Sequence, residues 1–364
     1  MKKHVLIATG LAVLSTGAHA TKARMAALGQ DQTNGSEFIS DSRNVFRNAA
    51  HVNSMKNYVV TEWGATRAED ATAANNSEGG FFREAGAFAY GLYMGSHLNA
   101  DRNVGRGATY KDEQDGLDLF FAGDMGVEWG AKLHYSKSSD ETGAFKKEHS
   151  GLGLSAGIIM GDMEFYVSKT LNDESKGGAA AGDKLEGDDL LVGGSYSMGK
   201  YTFFANYETN AKDDTVSGTK TEVDETTLKV GVGHTHEVNA TSRVFTSATY
   251  TNEKTKNKPA AATDNDKSRL PVVVGFEADA TSWLTLRGSI AQNVILASEK
   301  TGNPKKKRTV ANSTDVAAGA TLNFGKLKVD GTIGTMNNSG STASEDGTLR
   351  TDSLLTQVAV HYWF

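Results

Sequence analysis

The sequence predicts an all-β fold, an antiparallel transmembrane β-barrel of about fourteen strands within a range of 14–16. Apolar residues recur at every second position through most of the chain, and short turns alternate with long polar stretches. The chain also ends on an apolar stripe formed by Val358, Val360, Tyr362 and Phe364. Successive side chains of a strand point to opposite faces, so each such segment has one face for lipid and one for water.

The first twenty residues have the pattern of a secretory signal peptide. Lys2 and Lys3 precede the apolar stretch from Val5 to Leu14, and Ala18-His19-Ala20 is an A-x-A cleavage site. This pattern predicts export by the secretion translocase, with cleavage after Ala20. We expect three parts: a signal peptide over 1–20, an N-terminal extension or plug over 21–56, and an outer-membrane barrel over 57–364.

Composition limits the chemistry. The chain has no cysteine, three prolines and forty glycines. Disulfides, thiol catalysis and cysteine-ligated metals are therefore excluded. Few prolines suit a chain that donates nearly every backbone N–H to a strand ladder.

Residues 21–56 lack the strand pattern. Lys22–Leu28 and Asn44–Met55 are predicted to be short helices, the second capped by Asp41 or Ser42. The segment is expected either in the periplasm or as a plug in the lumen.

The alternating segments from 84–95 to 351–364 number about fourteen, an even count that leaves both ends on the periplasmic side. Asn57–Gly64 also reads as a strand, either in the wall or inside the barrel. Turns of Gly beside a polar residue, such as Gly161-Asp162 and Gly199-Lys200, join the strands into hairpins. The polar stretches between hairpins are predicted to be outer loops: 96–115, 138–149, 172–187, 210–223, 253–268, 297–307 and 338–350.

Three stretches carry a resemblance to known families: Ala27–Asp31, Arg43–Ala50 and Asn57–Gly64. Together with the signal peptide they resemble the major outer-membrane protein of Bdellovibrio-type bacteria, which implies an abundant porin-like β-barrel. Asn44–Ala50 followed by a strand is also similar to the region before the first strand of outer-membrane long-chain fatty-acid transporters. That resemblance implies fourteen strands and an N-terminal hatch in the lumen.

Charged residues lie on the faces opposite the apolar stripes. An Arg or Lys on the lipid side costs about 2–4 kcal/mol at the bilayer midplane, so these residues should face inward. The predicted pore-lining residues are Glu128, Lys132, Glu164, Lys229, Arg287, Lys328 and Asp330. The terminal stripe Val358, Val360, Tyr362 and Phe364 is predicted to be the signal that the barrel assembly machinery reads.

Three motifs suggest chemistry but have simpler interpretations. His134 and Ser136 share a strand face, as in a lipid-deacylating enzyme, yet the pair is expected in the lumen rather than at the lipid. His234 and His236 lack a third and fourth metal ligand and are expected at an interfacial or periplasmic rim. Gly151-x-Gly153 is followed by no helix that would hold a phosphate. We predict no catalytic residue, no metal, no cofactor and no enzymatic activity.

Pro304–Arg308 is a basic run in a predicted outer loop. Surface solvation is the default interpretation, and contact with lipid head groups or lipopolysaccharide is the alternative. The expected partners are outer-membrane lipid, lipopolysaccharide and the assembly machinery, with no nucleic acid; a homo-oligomer is left open.

The function predicted from these features is passive diffusion of small hydrophilic solutes or ions, with the loop 96–115 folded inward to narrow the pore. One alternative is a transporter of hydrophobic substrates that uses 21–56 as a hatch, with Phe204, Tyr166 and Phe245 in an aromatic lumen. A structural or adhesion barrel is the other.

Overall fold

The computed structural model shows one antiparallel sheet that closes on itself. It describes residues 21–65, 77–98, 110–114, 116–143, 145–178, 180, 182–258, 264–294, 298–301, 306–309, 314–335 and 354–364. The first strand pairs with the second on one side and with the last on the other, which closes the ring. The predicted signal peptide and its cleavage residues Ala18 and Ala20 lie outside the described residues.

The sheet contains nineteen strand segments. Their bounds are β1 Tyr58–Ala65, β2 Glu78–Ala85, β3 Phe88–Met94, β4 Leu117–Asp124, β5 Glu128–Asp140, β6 Lys147–Met160, β7 Met163–Lys176, β8 Lys184–Met198, β9 Tyr201–Val216, β10 Thr219–Asn239, β11 Ser242–Lys258, β12 Asn265–Arg269, β13 Pro271–Thr281, β14 Leu284–Asn293, β15 Ser298–Thr301, β16 Lys306–Thr309, β17 Thr314–Phe324, β18 Leu327–Thr335 and β19 Leu354–Trp363. Sixteen of them form the ring. β12 and β15 pair beyond it on the loop side, and β16 pairs with β15 alone among the described strands.

The central prediction of about fourteen strands is wrong, because the ring has sixteen, the upper end of the predicted range of 14–16. Asn57–Gly64 contains β1, a wall strand that pairs with β19 over its whole length. The run 84–95 is not one strand, since it spans the turn at Gly86 between β2 and β3. That turn has small alanines on both sides and no polar residue, and Gly86 supplies the positive φ of 64° that the turn needs.

Several predicted outer loops are also wrong in extent. Strands extend into all four of 138–149, 172–187, 210–223 and 253–268. β9 and β10 leave only residues 217 and 218 of 210–223 outside the ladder, and the flanking strands cover both ends of the other three. β9 and β10 meet at a two-residue turn, Ser217-Gly218, in which both residues have positive φ. Polar side chains occupy both faces of these extensions, so the hydrogen-bonded ladder continues where the apolar alternation has stopped.

The wall is apolar outside and polar inside. Leu119, Phe121 and Leu133 point outward and are 47%, 48% and 39% exposed. The terminal stripe faces outward too, with Tyr362 39% and Phe364 50% exposed. Inward positions are mainly Ser, Thr, His and charged residues, except on β1–β4, where residues such as Tyr58, Phe82 and Phe120 pack in a buried apolar cluster. A closed β-barrel with this distribution is a protein of the bacterial outer membrane, because lipid accepts only a ring without unpaired strand edges.

The segment 21–56, called here the lumen segment, lies inside the ring. It contains α1 (Lys22–Ala27), α2 (Asn44–Arg47) and a 3₁₀ helix (Ala49–Ser54). Thr21 caps α1 through its hydroxyl. Arg43, rather than the predicted Asp41 or Ser42, is the N-cap of α2. α1 contacts β14 and β17–β19, and the 3₁₀ helix contacts β3–β6. Among the described residues, no helix has the length and apolar character to span a bilayer.

Candidate functional site: the lumen and its N-terminal segment

Arg24 is the first of three buried arginines that tie the lumen segment to the wall. Its guanidinium donates to both carboxylate oxygens of Glu277 on β13, at 2.7 and 3.2 Å. A third hydrogen bond, of 3.0 Å, reaches Asp41 within the segment. Two-point contact with a carboxylate fixes the orientation of the guanidinium plane, so α1 is set relative to β13.

Arg43 is the second arginine anchor. Nη1 lies 2.6 Å from Glu78 on β2 and 3.2 Å from Glu62 on β1. It also donates to the hydroxyl of Tyr93 at 3.0 Å. The guanidinium stacks over Phe46, 3.9 Å from the ring centroid. Two wall carboxylates therefore share one cation where the ring closes.

Arg47 is the third anchor. Nη2 lies 3.1 Å from Glu164 on β7, and Nε lies 3.1 Å from Glu37 in the segment. His51 also contacts Glu164, at 3.1 Å. The hydroxyl of Tyr166 donates to Glu37 at 2.7 Å. The three anchors are spread around the ring, on β13, on β1–β2 and on β7.

Inward glycines leave room for the segment. A Cβ on Gly130 would overlap the backbone of Ala49, and one on Gly157 would overlap the side chain of Asn48. Phe38 fills the equivalent space at Gly233 on β10, and Ala27 fills it at Gly319 on β17. The wall and the lumen segment are thus complementary in shape on opposite sides of the ring.

An apolar cluster joins the segment to the first strands. Phe46 packs edge-on against Tyr93 and Phe120, with ring centroids 4.8 and 5.7 Å apart. Val45, Val52 and Met55 belong to the same buried cluster. Each buried side chain of this size stabilises the docked segment by about 1.5–3 kcal/mol relative to exposure.

All seven predicted pore-lining residues point inward, but they fall into two groups. Glu164, Arg287, Lys328 and Asp330 are buried, with exposures of 8%, 6%, 8% and 2%. Arg287 contacts Glu277, Thr321 and Asp330, and Lys328 lies 5.3 Å from the ring centroid of Trp363. These four residues belong to the network of buried charges around the lumen segment.

The other three, Glu128, Lys132 and Lys229, are half-buried. Lys132 lies 5.5 Å from the ring centroid of Phe46. Lys229 forms no hydrogen bond or ion pair with any residue that the structure describes, and its neighbours across the ladder are Asn206 and Thr251. Lys229 is therefore a lumen cation without a protein partner in the described chain.

Sequence reasoning missed Arg24, Arg43, Arg47, Glu62, Glu78 and Glu277 as site residues. Glu277 lies at an inward position between the apolar outward neighbours Phe276 and Ala278, a pattern that could have identified it. In the lumen segment, the corresponding signal was three arginines within a short stretch that also carries two helices.

Parts of the loop between β3 and β4 also lie against the inner wall. Leu98 fills the space beside Gly151 and Gly153 on β6. Ser138 donates to the carbonyl of Asp112 at 2.9 Å, and Tyr110 donates to Asp214 on β9 at 2.6 Å. The described parts of the segment predicted to fold inward are thus held on β5, β6 and β9.

His134 fastens this loop. Its Nδ1 lies 2.8 Å from Asp118 on β4 and its Nε2 lies 2.7 Å from Glu113 in the loop. Glu113 in turn accepts from the backbone N–H of Leu98. Burial acts to raise the pKa of Glu113, but the hydrogen bond and charge of His134 outweigh it, so this pKa lies below its ordinary value.

The His134–Ser136 pair does not form. Ser136 instead contacts Nε2 of His149 at 3.3 Å, and both partners are buried at 0% and 1% exposure. His234 and His236 point outward near the periplasmic turn of β10. His234 lies against Tyr201 with ring centroids 4.6 Å apart. Of the basic run, Lys306 to Arg308 lie in β16, and Pro304 and Lys305 lie outside the described residues.

No protein-family model matches the chain, and no curated protein matches it. Solved outer-membrane proteins are similar to it in structure. A loop-deletion mutant of OmpT, an outer membrane protein of Vibrio cholerae, has a TM-score of 0.43 at 13% identity, covering 84% of this chain and 97% of the other. The Ralstonia pickettii toluene transporter TbuX has a TM-score of 0.39 at 12% identity, covering 95% and 98%. BauA, the ferric preacinetobactin receptor of Acinetobacter baumannii, has a TM-score of 0.47 at 10% identity, covering 84% and 59%. None of the three indicates a substrate for this chain.

Proposed function

We propose that the protein lets small hydrophilic solutes and ions diffuse passively across the outer membrane. The passage runs between the lumen segment and the inner faces of β9 and β10, beside Phe38, which packs against Gly233 on β10. Its wall is polar, its charges bias which ions enter, and no reaction takes place in it.

The observation that carries this proposal is the uneven burial of inward-facing residues. Beside the lumen segment, Glu62, Glu277 and Asp330 are only 2%, 4% and 2% exposed. On β9 and β10 the inward-facing Asn206, Glu208 and Lys229 keep part of their surface accessible to water. The segment thus packs against most of the ring and leaves polar side chains wetted on one flank. Water along that flank supports a path for hydrated solutes.

Planar-bilayer recording of the purified, refolded chain tests the proposal. The intact chain should give single ohmic conductance steps. The chain without residues 21–56 should give larger steps, because the lumen segment then no longer narrows the path. Absence of conductance from the intact chain, together with large steps from the shortened one, would show that the segment seals the barrel and would refute passive diffusion.

A transporter of hydrophobic substrates is the second candidate. Phe38, Phe245 and Leu28 form an apolar cluster on the inner wall, and Phe204 and Tyr166 face the same space. In this case residues 21–56 act as a hatch. Uptake of a long-chain fatty acid into cells, with no conductance from the intact protein, would favour this candidate.

We also propose an origin for the chain, the processing of its N-terminus and the partners that it meets. The resemblance of residues 27–31, 43–50 and 57–64 supports an origin among Bdellovibrio-type bacteria. Residues 1–20 are proposed to be a signal peptide, and the outward stripe ending at Phe364 to be read by the assembly machinery. Self-association, contact with lipopolysaccharide and the lack of enzymatic activity belong to the same proposal.

A further inference from the structure

Thr21 occupies an unusual place for a residue next to a proposed cleavage site. It is completely buried, at 0% exposure, inside the ring. Its hydroxyl donates to Asp330 on β18 at 2.9 Å and accepts from the backbone N–H of Arg24. The next backbone N–H, that of Lys22, donates to Glu62 on β1 at 3.1 Å. Two wall carboxylates therefore bracket the start of the lumen segment.

We propose that cleavage after Ala20 frees an α-amino group on Thr21 that the lumen binds as an ammonium between Asp330 and Glu62, and that this pairing stabilises the docked lumen segment. The site is an N-terminus-binding site inside the barrel. It is independent of whether the barrel conducts solutes.

The covalent step is hydrolysis of one amide by a signal peptidase. Water adds across the Ala20–Thr21 bond, the hydroxyl goes to the carbonyl carbon of Ala20, and the proton goes to the nitrogen of Thr21. Ala20 leaves as a carboxylate. The new amine is mostly protonated at neutral pH, because an α-amino group has a pKa of about 7.7–8.0.

The geometry favours a charged terminus at this point. Thr21 has extended backbone, with φ −146° and ψ 171°. Its nitrogen is one peptide unit from the N–H that Glu62 accepts, so an added N–H donor lies near the same carboxylates. A buried cation is stable only where acids pair with it. Glu62 already pairs with Arg43, and Asp330 already contacts Arg287 and His361, so the ammonium joins an existing cluster of paired charges.

Chemical labelling tests the buried terminus. The chain extracted from outer membranes should begin at Thr21 by intact mass. Its α-amine should react with an amine-selective acylating reagent near pH 7 about tenfold more slowly, or slower still, in the folded than in the denatured protein. Asp330→Asn and Glu62→Gln should each raise the folded-state rate, and Asp224→Asn, on the exposed outer sheet, should not. A folded rate equal to the denatured rate, or a different first residue, overturns the proposal.

A second experiment does not depend on those variants folding. The mature chain is refolded either with Thr21 first or with Gly-Ser-Gly-Ser-Gly added before it. The control carries the same five residues inserted between Ser217 and Gly218. Trypsin should cut at Arg43 and Arg47 in the extended chain and spare them in the other two. Equal protection in all three chains overturns the proposal.

Discussion

Gly130 on β5 lies directly against the backbone of Ala49 in the lumen segment, so that a Cβ at position 130 would overlap the carbonyl of Ala49. The obstacle is main chain, which cannot move aside as the end of a long side chain can. The contact therefore requires glycine for docking, although glycine weakens a strand.

Gly130→Val should weaken docking of the lumen segment by about 1–3 kcal/mol, the usual cost of overpacking. Trypsin sensitivity at Arg47 measures the docking. Gly331→Val is the matched control, because Gly331 is on the outward face of β18 and a Cβ there meets nothing within 4 Å. Equal protection of the two variants would contradict this interpretation of Gly130.

Arg43→Met should release the segment more strongly. It leaves Glu62 and Glu78 buried without their shared cation, and breaking a buried pair costs about 3–5 kcal/mol. Thermal unfolding in detergent and trypsin sensitivity measure the effect. Adding Glu62→Gln and Glu78→Gln should restore part of the loss.

The control for Arg43 is Lys56→Met. Lys56 and Glu84 form an ion pair with side chains 37% and 45% exposed. Such surface pairs contribute about 0–1 kcal/mol. If Arg43→Met behaves like Lys56→Met, the arginine does not anchor the segment.

The Glu113–His134 contact predicts a dependence on acid pH. The pKa of Glu113 is depressed in the folded protein, so the ionised carboxylate stabilises the folded loop. That stabilisation is fully present above the unfolded pKa of about 4.3 and is lost as the pH falls through the lower folded value. Conductance should therefore change as the pH drops below about 4. Glu113→Gln should show the released loop at neutral pH, and a wild-type pH profile in this variant would argue against the contact.

Lys229→Glu should shift ion selectivity toward cations, because Lys229 has no partner among the described residues and faces the proposed path. The reversal potential across a salt gradient should move by an amount equal to about a twofold or greater change in permeability ratio. Low salt gives the clearest result, since screening is weakest there. Lys254→Glu, on the outward face of β11, should leave the potential unchanged.

Phe364→Ala should lower the amount of barrel that assembles in cells and should have little effect on refolding in detergent. The N–H of Phe364 still donates to the carbonyl of Asn57, and the ring is 50% exposed. Phe324→Ala is the control, since that ring is 59% exposed at the periplasmic end of β17. Equal cellular yields of the two variants would show that Phe364 is not part of an assembly signal.

The alternation of apolar and polar residues was sufficient to predict a closed barrel and its inward charges. It was not sufficient to count the strands, because the turn at Gly86 lies among small residues that do not interrupt the pattern. The anchors of the lumen segment were not predictable for a different reason. Arg24 and Glu277 are 253 positions apart, and Thr21 and Asp330 are 309 apart. No local pattern links such pairs, which only the closed ring brings together.

The pairing of β1 with β19 also has a consequence for biogenesis. The lumen segment precedes β1 in the chain, whereas β19 follows every other described strand. The carboxylates that hold the segment, Glu62, Glu277 and Glu164, lie on widely separated strands. They surround it from all sides only when the last of these strands joins the first, so the full set of anchors is completed by closure of the ring.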